Sequence, residues 1–107
     1  MKETGLILKT EERETLYREA VKQWGVDAQV IMAFEEMAEL TQSLCKLRRN
    51  NYRWGDDKQL RTNLKEELAD VEIMLEQVKY IFEVHDIEDI INMKLKRLQG
   101  LMGIKLQ

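Results

Sequence analysis

The chain has 107 residues with 44% hydrophobic and 35% charged side chains, no proline, five glycines and a formal net charge of −3. That length fits one domain, the apolar fraction excludes disorder, and the lack of proline excludes a turn-rich all-β sandwich or barrel. The acidic balance excludes general nucleic-acid binding. The lone cysteine, Cys45, excludes an internal disulfide, and no apolar run approaches the roughly 18 residues of a membrane span, so a soluble cytoplasmic protein is expected.

Four helices are predicted. The first runs from Glu11 to Trp24, with Thr10 as cap, Glu11 and Glu12 at the positive end of its dipole and Gly25 as its stop. Leu16, Ala20, Val21 and Trp24 make its apolar stripe. The second runs from Ala28 to Arg49 behind Asp27, on Val30, Ala33, Phe34, Met37, Leu40, Thr41, Leu44 and Leu47 at spacings of three and four. Residues 50–57, NNYRWGDD, form the clearest loop. The third helix runs from Lys58 to Val84 on Leu60, Leu64, Leu68, Val71, Met74, Leu75, Val78 and Phe82. His85-Asp86 marks a break, Asp86 being a plausible cap, and the fourth helix runs from Ile87 to Gln99, stopping near Gly100.

Two long helices on a short connection pack antiparallel. The expected architecture is an all-α, four-helix bundle-like single domain over residues 1–107, its core between about 11 and 99. Both long helices carry a second, weaker apolar stripe: Ile31, Ala38 and Cys45 on one, Ala69, Ile73 and Tyr80 on the other. A helix apolar on two faces is covered on two faces. Another subunit, in a homodimer or homotetramer, supplies that cover in the favoured reading; helices one and four do so in the other. Cys45 on its stripe reads as a buried small residue.

Charge is segregated along the chain. Residues 27–45 hold four acids and no base, 46–65 hold seven bases and two acids, 66–89 hold nine acids against Lys79, and from Lys94 onward there are four bases and no acid. Two acidic clusters stand out: Glu35, Glu36 and Glu39, then Glu67 and Asp70. Residues three apart share a helix face, and none of these five has Lys or Arg three or four positions away. Glu67 falls about 40° from Val71 on a helical wheel, inside the apolar arc, with Asp70 at its edge. Converging carboxylates without counterions repel unless protonated or neutralised. A hard divalent cation, Mg²⁺ or Mn²⁺, neutralises them, and the lack of nearby His or Cys argues against zinc. The competing reading is an ordinary acidic helix surface.

The spacing Glu35-Glu36-x-x-Glu39, 27 intervening residues, then Glu67-x-x-Asp70 resembles the EExxE…ExxD signature of the all-α NTP pyrophosphohydrolases, the MazG-like and dimeric dUTPase-like superfamily. The surrounding words MAFEEMAELTQSLCK and LKEELADVEIMLEQV are similar too, and the resemblance spans about residues 24–99. It implies Mg²⁺-dependent cleavage of a (d)NTP to the monophosphate and pyrophosphate, as in the house-cleaning of nucleotide pools. Glu36, Glu39, Glu67 and Asp70 would hold the metal, and Glu35 would orient or activate water. Asn92-Met93-Lys94-Leu95-Lys96-Arg97 resembles the family's N-x-K-(F/L)-x-R segment, which implies phosphate contacts from Asn92, Lys94 and Arg97.

Lys94 shares a helix face with Ile87, Ile91, Leu98 and Leu101, where a snorkelling stem is the alternative. Trp54 in the loop reads as a half-buried anchor or as a stacking element over a base. Trp24 reads as a bundle-closing residue or a base stacker, and His85 as structural. A relative hydrolysing another diphosphate, such as phosphoribosyl-ATP, and a non-catalytic helical oligomer are the alternative functions.

Overall fold

The computed structural model describes residues 7–55 and 58–106. These residues form four α-helices and no strand: α1 (Thr10–Trp24), α2 (Val26–Arg49), α3 (Lys58–Ile81) and α4 (Glu88–Met102). The helix order is the predicted one, with shifted ends. α1 starts one residue early because the Lys9 amide donates to Glu12 Oε1 at 2.8 Å, so Thr10 lies inside the helix rather than capping it. α2 begins at Val26, directly after Gly25 at φ 91°, which places Asp27 in its first turn.

α3 ends three residues before the predicted stop. Glu83 turns to φ 52°, and the Val84 amide donates to the Lys79 carbonyl at 2.9 Å, a left-handed closure that satisfies a terminal carbonyl. α4 passes the predicted stop at Gly100 and closes two residues later. Gly103 at φ 67° supplies the left-handed turn there, and the Ile104 amide reaches the Gln99 carbonyl at 3.2 Å.

α2 and α3 are both 24 residues long and make the main packing of the molecule as an antiparallel hairpin. On α2 the less exposed positions include Gln29, Ala33, Glu36, Leu40, Ser43 and Leu47, with Val30 beside them; on α3 they include Leu60, Asn63, Glu67, Asp70, Met74, Gln77 and Ile81. Both sets alternate in steps of three and four, the seven-residue repeat of helices that wind along each other. The seam between the helices is therefore half polar.

This arrangement bears out part of the predicted core and corrects the rest. Ala33, Leu40, Leu47, Leu60 and Met74 of the predicted stripes lie in the seam, whereas Phe34, Met37, Leu44, Leu68, Leu75 and Phe82, one residue further along each helix, are exposed. One residue is about 100° of rotation, enough to turn a row from the seam to its flank. Cys45 is exposed rather than buried, because it lies a further step around α2. Trp24, 61% exposed at the end of α1, does not close the bundle.

α1 lies along one side of the hairpin and touches both long helices. Its buried anchor is Tyr17, whose ring meets that of Tyr80 at 6.2 Å between centroids and whose hydroxyl donates to Glu76 Oε1 at 2.5 Å. Arg13 Nη1 pairs with the same carboxylate at 3.1 Å. α4 packs on none of the other three helices, so of the predicted second stripes only Tyr80 finds cover, from α1, while Ile31 and Ile73 stay exposed. No helix of the described residues is long and apolar enough to cross a membrane.

Candidate functional site

The hairpin's register places the acidic clusters opposite each other. Gln77 meets Gln29 near one end of the seam. Seven residues further along α2 and seven back along α3 lie Glu36 and Asp70, and three more bring Glu39 to Glu67. The side chains pair as this offset demands: Glu36 interacts with Asp70 and Glu39 with Glu67 across the seam.

The electrostatics follow from that crowding. Partial burial in the seam, the hydrogen bond to Asp70 and the charges of Asp70, Glu39 and Glu67 push the Glu36 carboxyl up to about 7. Glu67 is also raised, first by desolvation and then by the charge and hydrogen bond of Glu39, with Asp70 and Glu66 adding. No cation of the chain forms an ion pair with any of the four among the described residues. Glu35 sits beside Glu36 on the exposed flank.

As a donor set the four carboxylates suit a hard divalent cation. They stand two and two across the seam, and no three such side chains among the described residues already surround one point as a metal shell.

The other predicted residues lie elsewhere. Asn92, Lys94 and Arg97 are exposed on α4, which does not pack against the hairpin that carries the acids. Trp54 is half-buried in the α2–α3 loop with the Arg61 guanidinium 5.7 Å from its ring centroid, the arrangement of a loop anchor. Asn51 and Tyr52 both take left-handed backbone angles, φ 57° and 60°, to make that turn. Trp24, 61% exposed, lies at the far end of α1.

The buried polar residues Gln29 and Gln77, and the half-buried Ser43 and Asn63, share the seam with the carboxylates. They were not singled out by apolar periodicity, since they are the polar members of the same seven-residue repeat; the signal was the repeat of polar residues on both long helices. The Arg13–Glu76–Tyr17 cluster carried no sequence signal, because its members lie 59 and 63 residues apart.

No family model, no curated protein and no solved structure matches this chain.

Proposed function

We propose that the chain is a Mg²⁺-dependent nucleoside triphosphate pyrophosphohydrolase, releasing pyrophosphate and a nucleoside monophosphate, and that it works as a homo-oligomer. The observation that carries the reading is the pairing of Glu36 with Asp70 and Glu39 with Glu67, with the Glu36 and Glu67 carboxyls raised and no ion-pair partner for the four among the described residues. A structural acidic surface gains nothing from forcing carboxylates together across a helix seam. The signature read from the sequence supports the same assignment.

In this reading Glu36, Glu39, Glu67 and Asp70 would hold Mg²⁺, or Mn²⁺ in its place. The ion would supply charge neutralisation for a triphosphate and lower the pKa of bound water. Glu35, exposed next to the cluster, would orient the attacking water and take its proton. Asn92, Lys94 and Arg97 would steady phosphate oxygens only when α4 lies over the acidic seam, so their part depends on how α4 is seated in the assembled protein. Because the Glu36 carboxyl is raised, ion binding would favour its ionised form, which ties metal loading to pH.

The test is pyrophosphate release from a panel of NTPs and dNTPs, with phosphoribosyl-ATP included, in Mg²⁺ and in Mn²⁺. Metal-dependent release from one class of substrate is expected. A folded protein that releases nothing from any of them overturns the reading.

A further inference from the structure

Charge on the α2–α3 hairpin is sorted from one end to the other. Lys46, Arg48 and Arg49 close α2, Arg53 stands in the connecting loop, and Lys58 and Arg61 open α3. All of them are exposed, and none forms an ion pair among the described residues. With Asp56 and Asp57 counted, residues 46–61 hold six bases and two acids, a net +4, and the rest of the chain carries −7. The chain-wide −3 averages over this separation.

Cations on the last turn of α2 answer the negative end of its dipole. Lys58 and Arg61 have no such reason to be where they are. They stand in the first turn of α3, at the positive end, and that turn holds no acid. The loop between the two helices is held by its own backbone: the Asn51 amide donates to the Arg48 carbonyl at 2.9 Å and the Tyr52 amide to the Leu47 carbonyl at 2.8 Å. Tyr52 is left 67% exposed. Trp54 lies half-buried, and its ring keeps the Arg61 guanidinium beside it at 5.7 Å. α1 meets the hairpin at Glu76 and Tyr80, toward the other end, and α4 packs on neither long helix.

We propose that this end of the hairpin binds single-stranded nucleic acid, with its cations on the phosphates and Tyr52 stacked on a base. Unpaired cations gathered at a helix N-terminus call for an anion. Phosphates suit Arg48, Arg49, Arg53 and Arg61, because a guanidinium fork can take two oxygens. An aromatic ring held outward among them adds a face on which any unpaired base can stack. A duplex keeps its base faces covered by its own stacking and gives Tyr52 no such contact. A lipid surface needs apolar side chains to bury, and between residues 45 and 67 Tyr52 is the one large apolar side chain exposed among the described residues. The acidic remainder of the chain repels a strand laid along the molecule, which confines the contact to a few nucleotides at the basic end. The inference goes beyond the catalytic proposal and does not depend on it.

The experiment is fluorescence anisotropy of the full chain with labelled oligo-uridine and oligo-thymidine of about 12 nucleotides, and with a duplex of the same length, in a chelator so that no metal bridges acid to phosphate. Saturable binding of the single strands is expected. From about 50 to about 200 mM salt, log affinity is expected to fall against log salt with a slope of about −2 to −4. Arg53→Gln is expected to make that slope shallower by about 0.7. Tyr52→Ala weakens binding at least about fivefold without changing the slope, and Tyr52→Phe restores it. Lys96→Gln, on α4, leaves affinity unchanged. No binding at the lower salt overturns the proposal. So does an affinity that survives both Arg53→Gln and Tyr52→Ala but falls with Lys96→Gln. Equal affinity for the duplex with no effect of Tyr52→Ala also overturns it, as a surface for any polyanion. Capture by phosphatidylserine vesicles without oligonucleotide binding assigns the cations to a lipid surface instead. Each outcome is read without turnover, so the catalytic proposal stands or falls separately.

Discussion

Gln77 Nε2 donates to Gln29 Oε1 across the α2–α3 seam at 2.8 Å, and both side chains are buried. The Gln29 amide nitrogen finds no acceptor, so the pair is half satisfied. Such a contact forms only at one register of the hairpin, the same register that sets Glu36 against Asp70. A buried polar pair at a seam position is suited to choosing alignment at some expense of stability. Gln77→Leu alone strips Gln29 of its partner and is expected to cost about 1–3 kcal/mol. The double change Gln29→Leu with Gln77→Leu removes both polar groups and returns stability to the wild-type level or above it. Urea unfolding of the three variants at one protein concentration reads both outcomes.

The Tyr17 hydroxyl is the second buried polar anchor. It donates to Glu76, which Arg13 also grips. Burial and the adjoining Glu76 push the phenol up to about 12, so the neutral hydroxyl's contribution is complete below pH 10 and is lost as pH rises through about 12. The hydrogen bond from Tyr17, followed by the contacts of Arg13, holds Glu76 below the usual carboxylate range. Its contribution is present above the unfolded-state pKa and is lost on acidification through the lowered value. Tyr17→Phe is expected to lose about 1–2 kcal/mol and to loosen α1. Faster amide exchange along residues 10–24 checks the location.

The acidic seam acts in the opposite sense. Glu36 is raised to about 7 and Glu67 is raised as well, so between the ordinary carboxylate value and about pH 7 the folded chain holds more protons than the unfolded one. Stability then falls as pH rises through that window. Without divalent ions the melting temperature is expected to decline from about pH 5 to about pH 7.5. Glu36→Gln flattens the decline, and millimolar Mg²⁺ at the upper end reverses it by binding the ionised seam. A melting temperature that rises steadily across the window counts against raised Glu36 and Glu67 carboxyls.

Glu67→Gln separates site from scaffold. The amide removes one charge from a crowded seam, so thermal stability without metal is expected to hold or rise. Metal-dependent pyrophosphate release, worth several kcal/mol to a metal-assisted reaction, is expected to fall at least about a hundredfold. Activity that survives removes Glu67 from the proposed ligands.

Four helices in order, and two acidic clusters placed to meet across an antiparallel pair, were legible in the sequence. Backbone hydrogen bonding is local, and missing proline, glycine stops and apolar spacing act within a few residues of where they stand. The acidic positions were legible because charge without nearby counterions is itself a local pattern.

Which stripe faces which neighbour was not local. Val30, Phe34, Met37 and Leu44 form the most apolar row of α2, and hydrophobicity alone sends that row inward. The structure sets Ala33, Leu40 and Leu47 of the predicted stripe against α3 together with the polar Gln29, Glu36 and Ser43, and leaves Phe34, Met37 and Leu44 exposed. A helix with adjoining rows satisfies its backbone equally whichever row is covered, so the choice belongs to packing between elements. The tertiary structure made that choice: it brought Glu36 to Asp70 and Glu39 to Glu67, left α4 off the hairpin, and left Phe34, Met37, Leu44, Leu68, Leu75 and Phe82 exposed.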